Sequence, residues 1–447
     1  MNVFLTFLLL NTLSRGTGPT GAARDSSRDS PLISALLADI AGRQERSDGF
    51  FRAGAFPATR VHASRPFKVR ADNNIFFTGL IGLGLRRIRG DLRGQDLAVC
   101  DSILERIRAA IGPYRNKTGR PTYNFWQTNP PVIFPGDPVL RHLDRTHALP
   151  DDLDDTIILL EALGGGGAGT PGGRPGDHGG PDSPDQRPDS LDRVVKALMA
   201  AHANGVSGVL ETGYRRYRHV GAYSTWFGKN MPIDFDLAVL CNVLYWVCDR
   251  HLPFGAADSA TVDMLKDMIL RKLPVTDPAF ASPHYARTPV LLYHIGRLLG
   301  TFSIPALDSL KPLLVSEART ALDKTEDPMD KVLLSTTLLR LGVYPGDIPP
   351  LRLEGAPGDI GLARPGASHG DEPPGGAVAP GALDQVDEHF VMFIGTFSDY
   401  FRNPFRRVFL HSRLLRYEFR CTAYNRFLLL EYLVVRQASW KRPHPGV

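Results

Sequence analysis

The 447-residue chain has few of the features that identify a metal, redox or membrane protein. Its four cysteines, at positions 100, 241, 248 and 421, form no CxxC or Cys/His pattern and fall in segments with helical patterns. We therefore expect buried reduced thiols rather than a cysteine-ligated metal. The longest apolar runs are shorter than about 18 residues, so the sequence predicts no membrane-spanning helix. A formal net charge of +5 is too small for this length to indicate nucleic-acid binding.

The composition is otherwise that of a globular protein, with 43% apolar and 22% charged residues. The 44 glycines and 36 prolines are a high content, and most of the excess lies in two stretches, residues 164–190 and 344–383. Both stretches have few apolar side chains to bury, so we predict that they are disordered inserts. Neither interrupts the repeat described next, and we expect residues 1–447 to form a single domain around them.

A short motif recurs along the chain. It begins with a polar residue, has Thr, Ala or, in the less regular copies, another residue four positions later, and leads into an apolar run. The runs are apolar almost all round, which is typical of helices buried on both faces. Copies begin at Asn74, Asp152, Asp234, His284, Asp327 and, more weakly, Arg420. Repeats of this kind predict an architecture of stacked helical units.

Amphipathic segments such as "AVCDSILERIRAAI" and "LDRVVKALMAAH" alternate with these buried helices. Such segments bury one stripe and expose the rest, so they predict an outer layer around an inner one. We expect an all-α protein, an α/α barrel or toroid of about six helical hairpins. An α-solenoid, which also stacks helix pairs, is the alternative.

The N-terminus supports two interpretations. Residues 2–13 repeat the spacing of the segment that begins at Asn74, which predicts a further repeat helix and favours a cytoplasmic protein. Alternatively, residues 1–23 are a signal peptide cleaved after Ala23, although no Lys or Arg precedes the apolar core. In that case the protein is secreted or periplasmic.

Two motifs resemble the prenyltransferase and squalene-cyclase superfamily of α/α toroids. "GRQERSDGFF" (residues 42–51) is similar to its Q-x-x-x-D-G-aromatic repeat, and residues 152–156, "DLDDT", match the D-x-D-D-T motif of class II terpene cyclases. The resemblance implies that Asp154 donates a proton to an isoprenoid alkene or epoxide, with Asp152 and Asp155 holding and biasing it. It implies an apolar small-molecule substrate and no cofactor. Neighbouring carboxylates raise the pKa of one member of a cluster and keep it protonated.

Aromatic residues stand in the two loops that precede the Asp-led helices. Aromatic rings stabilise carbocations without offering a nucleophile, so these loops are candidates for the substrate cavity. The alternative is that the rings pack on the rim of the barrel. The candidate binding residues are Tyr123, Phe125, Trp126, Tyr223, Trp226, Phe227, Asp234 and Asp236.

The same acids also fit other chemistries. Asp151, Asp152 and Asp155 match the D-D-x-x-D pattern that binds Mg²⁺ and diphosphate, because hard cations prefer carboxylate oxygens. Asp154 and Asp236 occupy equivalent repeat positions and could form the carboxylate pair of a glycoside hydrolase or lyase. Asp at a helix start also serves as a cap. The sequence therefore leaves open whether the chain is an enzyme or a non-catalytic scaffold.

Six arginines lie between residues 400 and 420. Clustered basic residues are consistent with a phosphate or membrane-surface patch, which predicts a peripheral membrane contact as one interpretation. A solvated helix is the other. The sequence indicates no nucleic-acid partner and does not indicate an oligomeric state.

Overall fold

The computed structural model describes residues 30–135, 137, 151–164, 190–227, 231–346 and 390–441. Both interpretations of the N-terminus, repeat helix or signal peptide, concern residues outside the described ranges. The two predicted inserts, 164–190 and 344–383, also lie almost entirely outside them, at residues 165–189 and 347–383.

The described residues form helices and four strands. The helices are α1 (Ser30–Arg43), α2 (Phe76–Ile88), α3 (Gly94–Ala110), α4 (Leu153–Leu163), α5 (Ser190–Ala201), α6 (Leu237–Asp249), α7 (Ala256–Leu270), α8 (Leu273–Thr276), α9 (Pro278–Ala281), α10 (Thr288–Thr301), α11 (Pro305–Asp308), α12 (Lys311–Lys324), α13 (Pro328–Arg340), α14 (Phe405–Phe409) and α15 (Thr422–Lys441). The strands are β1 (Ala58–His62), β2 (Arg65–Asp72), β3 (Phe393–Thr396) and β4 (Arg416–Arg420).

Each of the six motif-led segments identified in the described sequence is a helix: α2, α4, α6, α10, α13 and α15. An aspartate stands directly before the first residue of three of these helices, and it has a local cause. The carboxylates of Asp152, Asp236 and Asp327 accept hydrogen bonds from backbone N–H groups in the first turns of α4, α6 and α13. These groups have no partner within the helix, and a carboxylate there also complements the helix dipole.

The six motif-led helices form a closed ring. Each contacts the next along the chain, and α15 returns to contact α2. Outside the ring, α3 packs on α2 and α4, α7 packs on α6, α12 packs on α10 and α13, and α1 packs on α15. The inner helices are buried almost all round because they have the ring on one side and the outer helices on the other.

The prediction of an all-α protein is wrong, because the chain also forms a four-stranded antiparallel sheet. The strand order is β2-β1-β4-β3, so an N-terminal hairpin joins two strands from the C-terminal part of the chain. Phe419 of β4 lies opposite Phe393 of β3 and Arg60 of β1. The fold is therefore mixed α/β. The strands β3 and β4 have only four and five residues, so their alternation is short, and their pairing with the distant β1 is not encoded in local spacing.

The sheet covers the end of the ring at which the inner helices begin. Its aromatic residue Phe393 lies with its ring centroid 4.6 Å from that of Phe76, the first residue of α2. His284, in the loop before α10, also stacks on Phe393, with the two ring centroids 5.7 Å apart. The mouth of the ring and one face of the sheet therefore enclose a common space.

The remaining expectations concern thiols and membrane spans. Cys100, Cys241 and Cys421 are buried, Cys248 is half-buried, and none is in a disulfide. Cys421 lies one residue before α15 rather than within a helix. Over the described ranges, we find no helix with the length and apolar character needed to cross a bilayer.

Candidate active site

A cavity of about 110 Å³ lies between the mouth of the ring and the sheet. Its wall is mostly aromatic, and Asp152 and His284 contribute ionisable groups to it. The lining residues are Phe125, Trp126, Phe134, Asp152, Trp226, Met231, His284, Phe393, Gly395, Thr396, Phe397, Tyr417 and Phe419. A concave, largely apolar space with a few polar groups is typical of a ligand site.

Phe393 stands at the centre of the aromatic wall. Its ring centroid lies 5.6 Å from that of Phe125, in a stacked arrangement, and 5.7 Å from that of Phe419. Phe125 and Phe419 also contact each other edge to face at 5.1 Å. Mutual packing of this kind adds stability beyond the buried area and holds each ring in one orientation.

Trp126 is held in the wall by a buried ion pair. Its indole Nε1 donates a 2.8 Å hydrogen bond to Asp72, and Arg60 donates one of 2.7 Å to the same carboxylate. The Arg60 guanidinium lies 4.9 Å from the ring centroid of Phe134, a second wall residue. The sheet therefore positions two aromatic residues that belong to loops.

Asp152 lines the cavity, and its side chain caps α4. Its Oδ1 accepts hydrogen bonds from the backbone N–H groups of Asp154 at 2.7 Å and of Asp155 at 3.4 Å. Burial, with the nearby charge of Asp154, raises the pKa of Asp152 to about 7, against the opposing effect of His284. A large fraction of Asp152 is therefore protonated near neutral pH.

Asp154 does not line this cavity, and it is 3% exposed. Its Oδ1 accepts a 2.6 Å hydrogen bond from the Asn242 side chain, and its Oδ2 accepts one from the hydroxyl of Tyr285. Burial raises the pKa of Asp154 to about 6, while these two donors favour the charged form. Asp154 is therefore mostly ionised at neutral pH.

Asp155 has a third environment. Its Oδ1 is buried and accepts no hydrogen bond. Burial, with the charges of Asp152 and Asp154, raises the pKa of Asp155 well above its usual value. Burial and the neighbouring charges therefore favour the neutral form of Asp155. The three acids of the motif thus differ in their hydrogen-bond donors: backbone N–H groups for Asp152, side chains for Asp154, and none at Oδ1 of Asp155.

Asp151 serves to anchor a loop. Its carboxylate accepts hydrogen bonds from Asn116 at 2.6 and 2.8 Å, from Thr122 at 2.5 Å and from Asn124 at 2.9 Å. These donors occupy the oxygens that the Mg²⁺ hypothesis requires. Within the described ranges, no three His, Cys, Asp or Glu side chains are arranged to hold a metal ion.

The two acids ahead of α6 also have structural partners. Both oxygens of the fully buried Asp234 accept hydrogen bonds from the Arg406 guanidinium, one of them at 2.7 Å. Asp236 caps α6 and accepts further hydrogen bonds from the Ser282 hydroxyl and the His284 backbone N–H. Neither lines the cavity, so the structure does not present Asp154 and Asp236 to it as a carboxylate pair.

The aromatic candidates divide into two groups. Phe125, Trp126 and Trp226 line the cavity. The others are buried elsewhere: Tyr123 lies beside α4, where its backbone N–H meets the Thr156 hydroxyl, and the backbone N–H of Tyr223 meets the Thr261 hydroxyl beside α7. Phe227 donates its backbone N–H to the carbonyl of Asp151. The order of residues in the two loops did not distinguish wall residues from packing residues.

Several wall and network residues were not predicted. The strand residues Phe393, Tyr417 and Phe419 follow a two-residue alternation in "MFIGTF" and "RYEFR", which is a strand signal. A second signal is a polar residue inside an otherwise apolar helix. Asn242 in "LAVLCNVLYWV" and Arg297 in "VLLYHIGRLL" are such residues, and both lie in the network behind Asp154.

The arginines between residues 400 and 420 contact groups of the protein itself. Arg406 is buried against Asp234, and the others lie nearer the surface. Their partners are Glu211 for Arg402, Asp277 for Arg407, the carbonyl of Ala63 for Arg413, and Glu418 for both Arg416 and Arg420. A peripheral membrane contact through this segment stays a prediction.

No family model, curated protein or solved structure matches this chain. What the site can do follows from its geometry. It combines a carboxyl group that is partly protonated near neutral pH with a wall of aromatic rings. Such a site can bind an apolar group and transfer a proton to it.

Proposed function

We propose that the chain is an acid catalyst for an apolar, isoprenoid-like substrate, and that Asp152 is its proton donor. The observation that carries this proposal is that Asp152 lines a cavity whose other lining residues are mostly aromatic. The resemblance of residues 152–156 to the class II terpene cyclase motif supports the same chemistry. The proposal differs from the motif-based hypothesis in the identity of the acid.

Asp152 is a better candidate than Asp154 because it reaches the cavity. Both oxygens of Asp154 accept hydrogen bonds from Asn242 and Tyr285, and these donors favour the ionised form. A proton donor must be protonated and within reach of the substrate. The assignment to Asp152 is supported by its place in the cavity lining and by a pKa raised to about 7, whereas Asp154 does not line the cavity and has two donors that favour its ionised form.

The proposed reaction begins with transfer of the Asp152 proton. The O–H bond breaks, and the π electrons of an alkene form a new C–H bond, which leaves a carbocation and the Asp152 carboxylate. A second double bond of the substrate attacks the cation and closes a ring. The last cation then loses a proton to Asp152, directly or through water, and the acid is restored. The faces of the wall aromatics stabilise the cations electrostatically.

The size of the cavity limits what it holds. An engineered cavity of about 150 Å³ in another protein binds benzene. A volume of about 110 Å³ therefore suits one isoprene-sized group rather than a whole polyene. We expect the reacting end of the substrate to bind beside Asp152 and the remainder to extend out of the cavity.

The test uses the purified chain with acyclic polyprenyl alcohols, their diphosphates and squalene, in the presence of EDTA, with products identified by mass spectrometry. Asp152→Asn keeps a good capping residue but removes the transferable proton. It should lower turnover by at least about 100-fold while the chain stays folded. Asp327→Asn is the matched control, because Asp327 caps α13 with the same geometry and does not line the cavity.

A second candidate is an apolar-ligand binder without turnover. The observation that favours it is that Asp152 already has a structural task as the cap of α4. Binding of a polyene, measured by quenching of tryptophan fluorescence, without any product would support this candidate. Thermal protection by an oligosaccharide, with no effect of polyenes, would favour the carbohydrate hypothesis instead. Turnover that needs Mg²⁺ would favour ionisation of a diphosphate.

A further inference from the structure

A chain of buried polar side chains runs behind the cavity wall, inside the ring. Asn242 of α6 donates to Asp154 at 2.6 Å, and its own carbonyl oxygen accepts a hydrogen bond from Arg297 of α10. Arg297 is 2% exposed, and Asn242 is 1% exposed. The Asn242 amide on α6 thus links a buried carboxylate on α4 to a buried guanidinium on α10.

The chain continues beyond Arg297. Its guanidinium lies 5.6 Å from the ring centroid of Tyr293, whose hydroxyl donates a 2.5 Å hydrogen bond to Glu431 of α15. Arg340 of α13 donates to the other oxygen of Glu431. These polar groups occupy the interior of the ring, whereas the apolar cavity lies at its mouth.

Isolated buried charges are strongly unfavourable. The negative charge of Asp154 therefore depends on its donors and on the positive charge that Arg297 places behind Asn242. The Tyr285 hydroxyl supplies a further donor from the loop ahead of α10. The interior thus maintains an ionised carboxylate two residues from the proposed acid.

We propose that Asp154, Asn242 and Arg297 act as one positioning unit, in which the fixed negative charge of Asp154 keeps the proton on Asp152. This inference rests on the proposed function, in which Asp152 is the acid. Asp154 does not touch the substrate in this proposal. It acts through Asp152, because a like charge nearby makes ionisation of a second carboxyl group less favourable.

Several other groups influence the same pair. Asp155 adjoins both Asp152 and Asp154. Burial raises its pKa well above the ordinary value and so favours its neutral form, which has little electrostatic effect on the other two acids. His284, from the loop ahead of α10, favours ionisation of Asp152. Asp236, just before α6, is a second carboxylate near Asp154, and its negative charge raises the pKa of Asp154. The test must therefore change Asp154 and its counter-ion without changing His284 or Asp236.

The experiment is a titration of protein labelled with ¹³C at the aspartate side-chain carboxyl groups, followed by NMR. The Asp152 signal is assigned by its loss in Asp152→Asn. In Asp154→Asn the midpoint of Asp152 should fall by about one pH unit or more, because the neighbouring charge is gone. Arg297→Gln should shift it in the same direction, because Asp154 without its counter-ion takes up a proton. Arg297→Lys keeps the charge and should leave the midpoint near its native value.

The matched control is Arg250→Gln. Arg250 donates a 3.2 Å hydrogen bond to Glu161 at the other end of α4, about 13 Å along the helix from Asp152. Its loss should not move the Asp152 midpoint. An unchanged midpoint in folded Asp154→Asn overturns the proposal, and this variant decides alone if Arg297→Gln fails to fold. The titration requires no substrate, so its outcome is independent of the turnover test of the proposed function.

Discussion

Asn242 of α6 and Asp154 of α4 are joined by a 2.6 Å hydrogen bond between neighbouring helices of the ring. Asn242 stands in a segment that is otherwise almost wholly apolar, and Asp154 stands directly ahead of the apolar run of α4. The bond satisfies a buried carboxylate that has no access to water. It therefore contributes to the stability of the ring as well as to the electrostatics of the site.

Replacing Asn242 tests this contribution. Asn242→Leu removes a donor from Asp154 and an acceptor from Arg297, so it should lower the free energy of unfolding by about 2 kcal/mol or more. The measurement is urea denaturation at neutral pH. On an Asp154→Asn background the loss should shrink by about 1 kcal/mol or more, since the two residues interact directly. Additive losses would contradict a direct interaction.

Asp155 should make stability fall as pH rises. Its pKa in the folded chain is raised well above the ordinary value of 3.8, so the folded chain holds a proton that the unfolded chain releases. The associated stability is present below about pH 4 and is lost as pH rises towards the folded-state pKa. Asp152, with its pKa raised to about 7, acts in the same direction. The free energy of unfolding should therefore be lower at about pH 8 than at about pH 5.

Asp155→Asn removes one titrating group and should reduce that difference. Urea denaturation of native protein and variant at both pH values measures the effect. Asp267→Asn is the control, because the pKa of Asp267, lowered by Tyr217 and Arg271 despite some desolvation, keeps it ionised in both states over this range. A pH dependence that is the same in Asp155→Asn and native protein would show that Asp155 ionises normally.

The buried pair of Asp234 and Arg406 should be required for folding stability. Arg406→Met leaves a fully buried carboxylate without its cation and should cost about 3–5 kcal/mol in urea denaturation. Arg402→Met is the control, because Arg402 pairs with Glu211 at 2.7 Å but is 76% exposed. Exposed ion pairs contribute about 1 kcal/mol at most. Equal losses in the two variants would contradict the different burial of the two pairs.

Close contact between α2 and α15 predicts a steric requirement at Gly84. A Cβ atom there would lie 2.0 Å from the Phe427 ring, so Gly84→Ala must displace that ring. The overpacking should cost about 1–3 kcal/mol, partly offset by the better helix propensity of alanine. Gly90→Ala, where a Cβ meets nothing within 4 Å, should change stability by about 0.5 kcal/mol or less. Thermal or urea denaturation of both variants provides the comparison.

The sequence by itself determined the inner helices of the described region and the reason for their acidic starts. Both follow from local physics, because an apolar segment without an exposed face must be buried, and an aspartate at a helix start satisfies N–H groups two and three residues away. The repeat motif therefore located α2, α4, α6, α10, α13 and α15 correctly. Among the candidate site residues that the sequence suggested, Asp152, Phe125, Trp126 and Trp226 line the cavity.

Only the tertiary structure decided which acid faces the cavity. Asp152 is the extended N-cap residue and Asp154 lies in the first turn of α4, so which of them meets the cavity depends on how α4 is placed within the ring. The cavity itself required the sheet, whose strands come from opposite parts of the chain. Neither the rotation of a helix nor the pairing of distant short strands is encoded in local spacing. The protonation of the three acids also depends on tertiary structure, because it depends on hydrogen-bond donors from α6 and from the loop before α10.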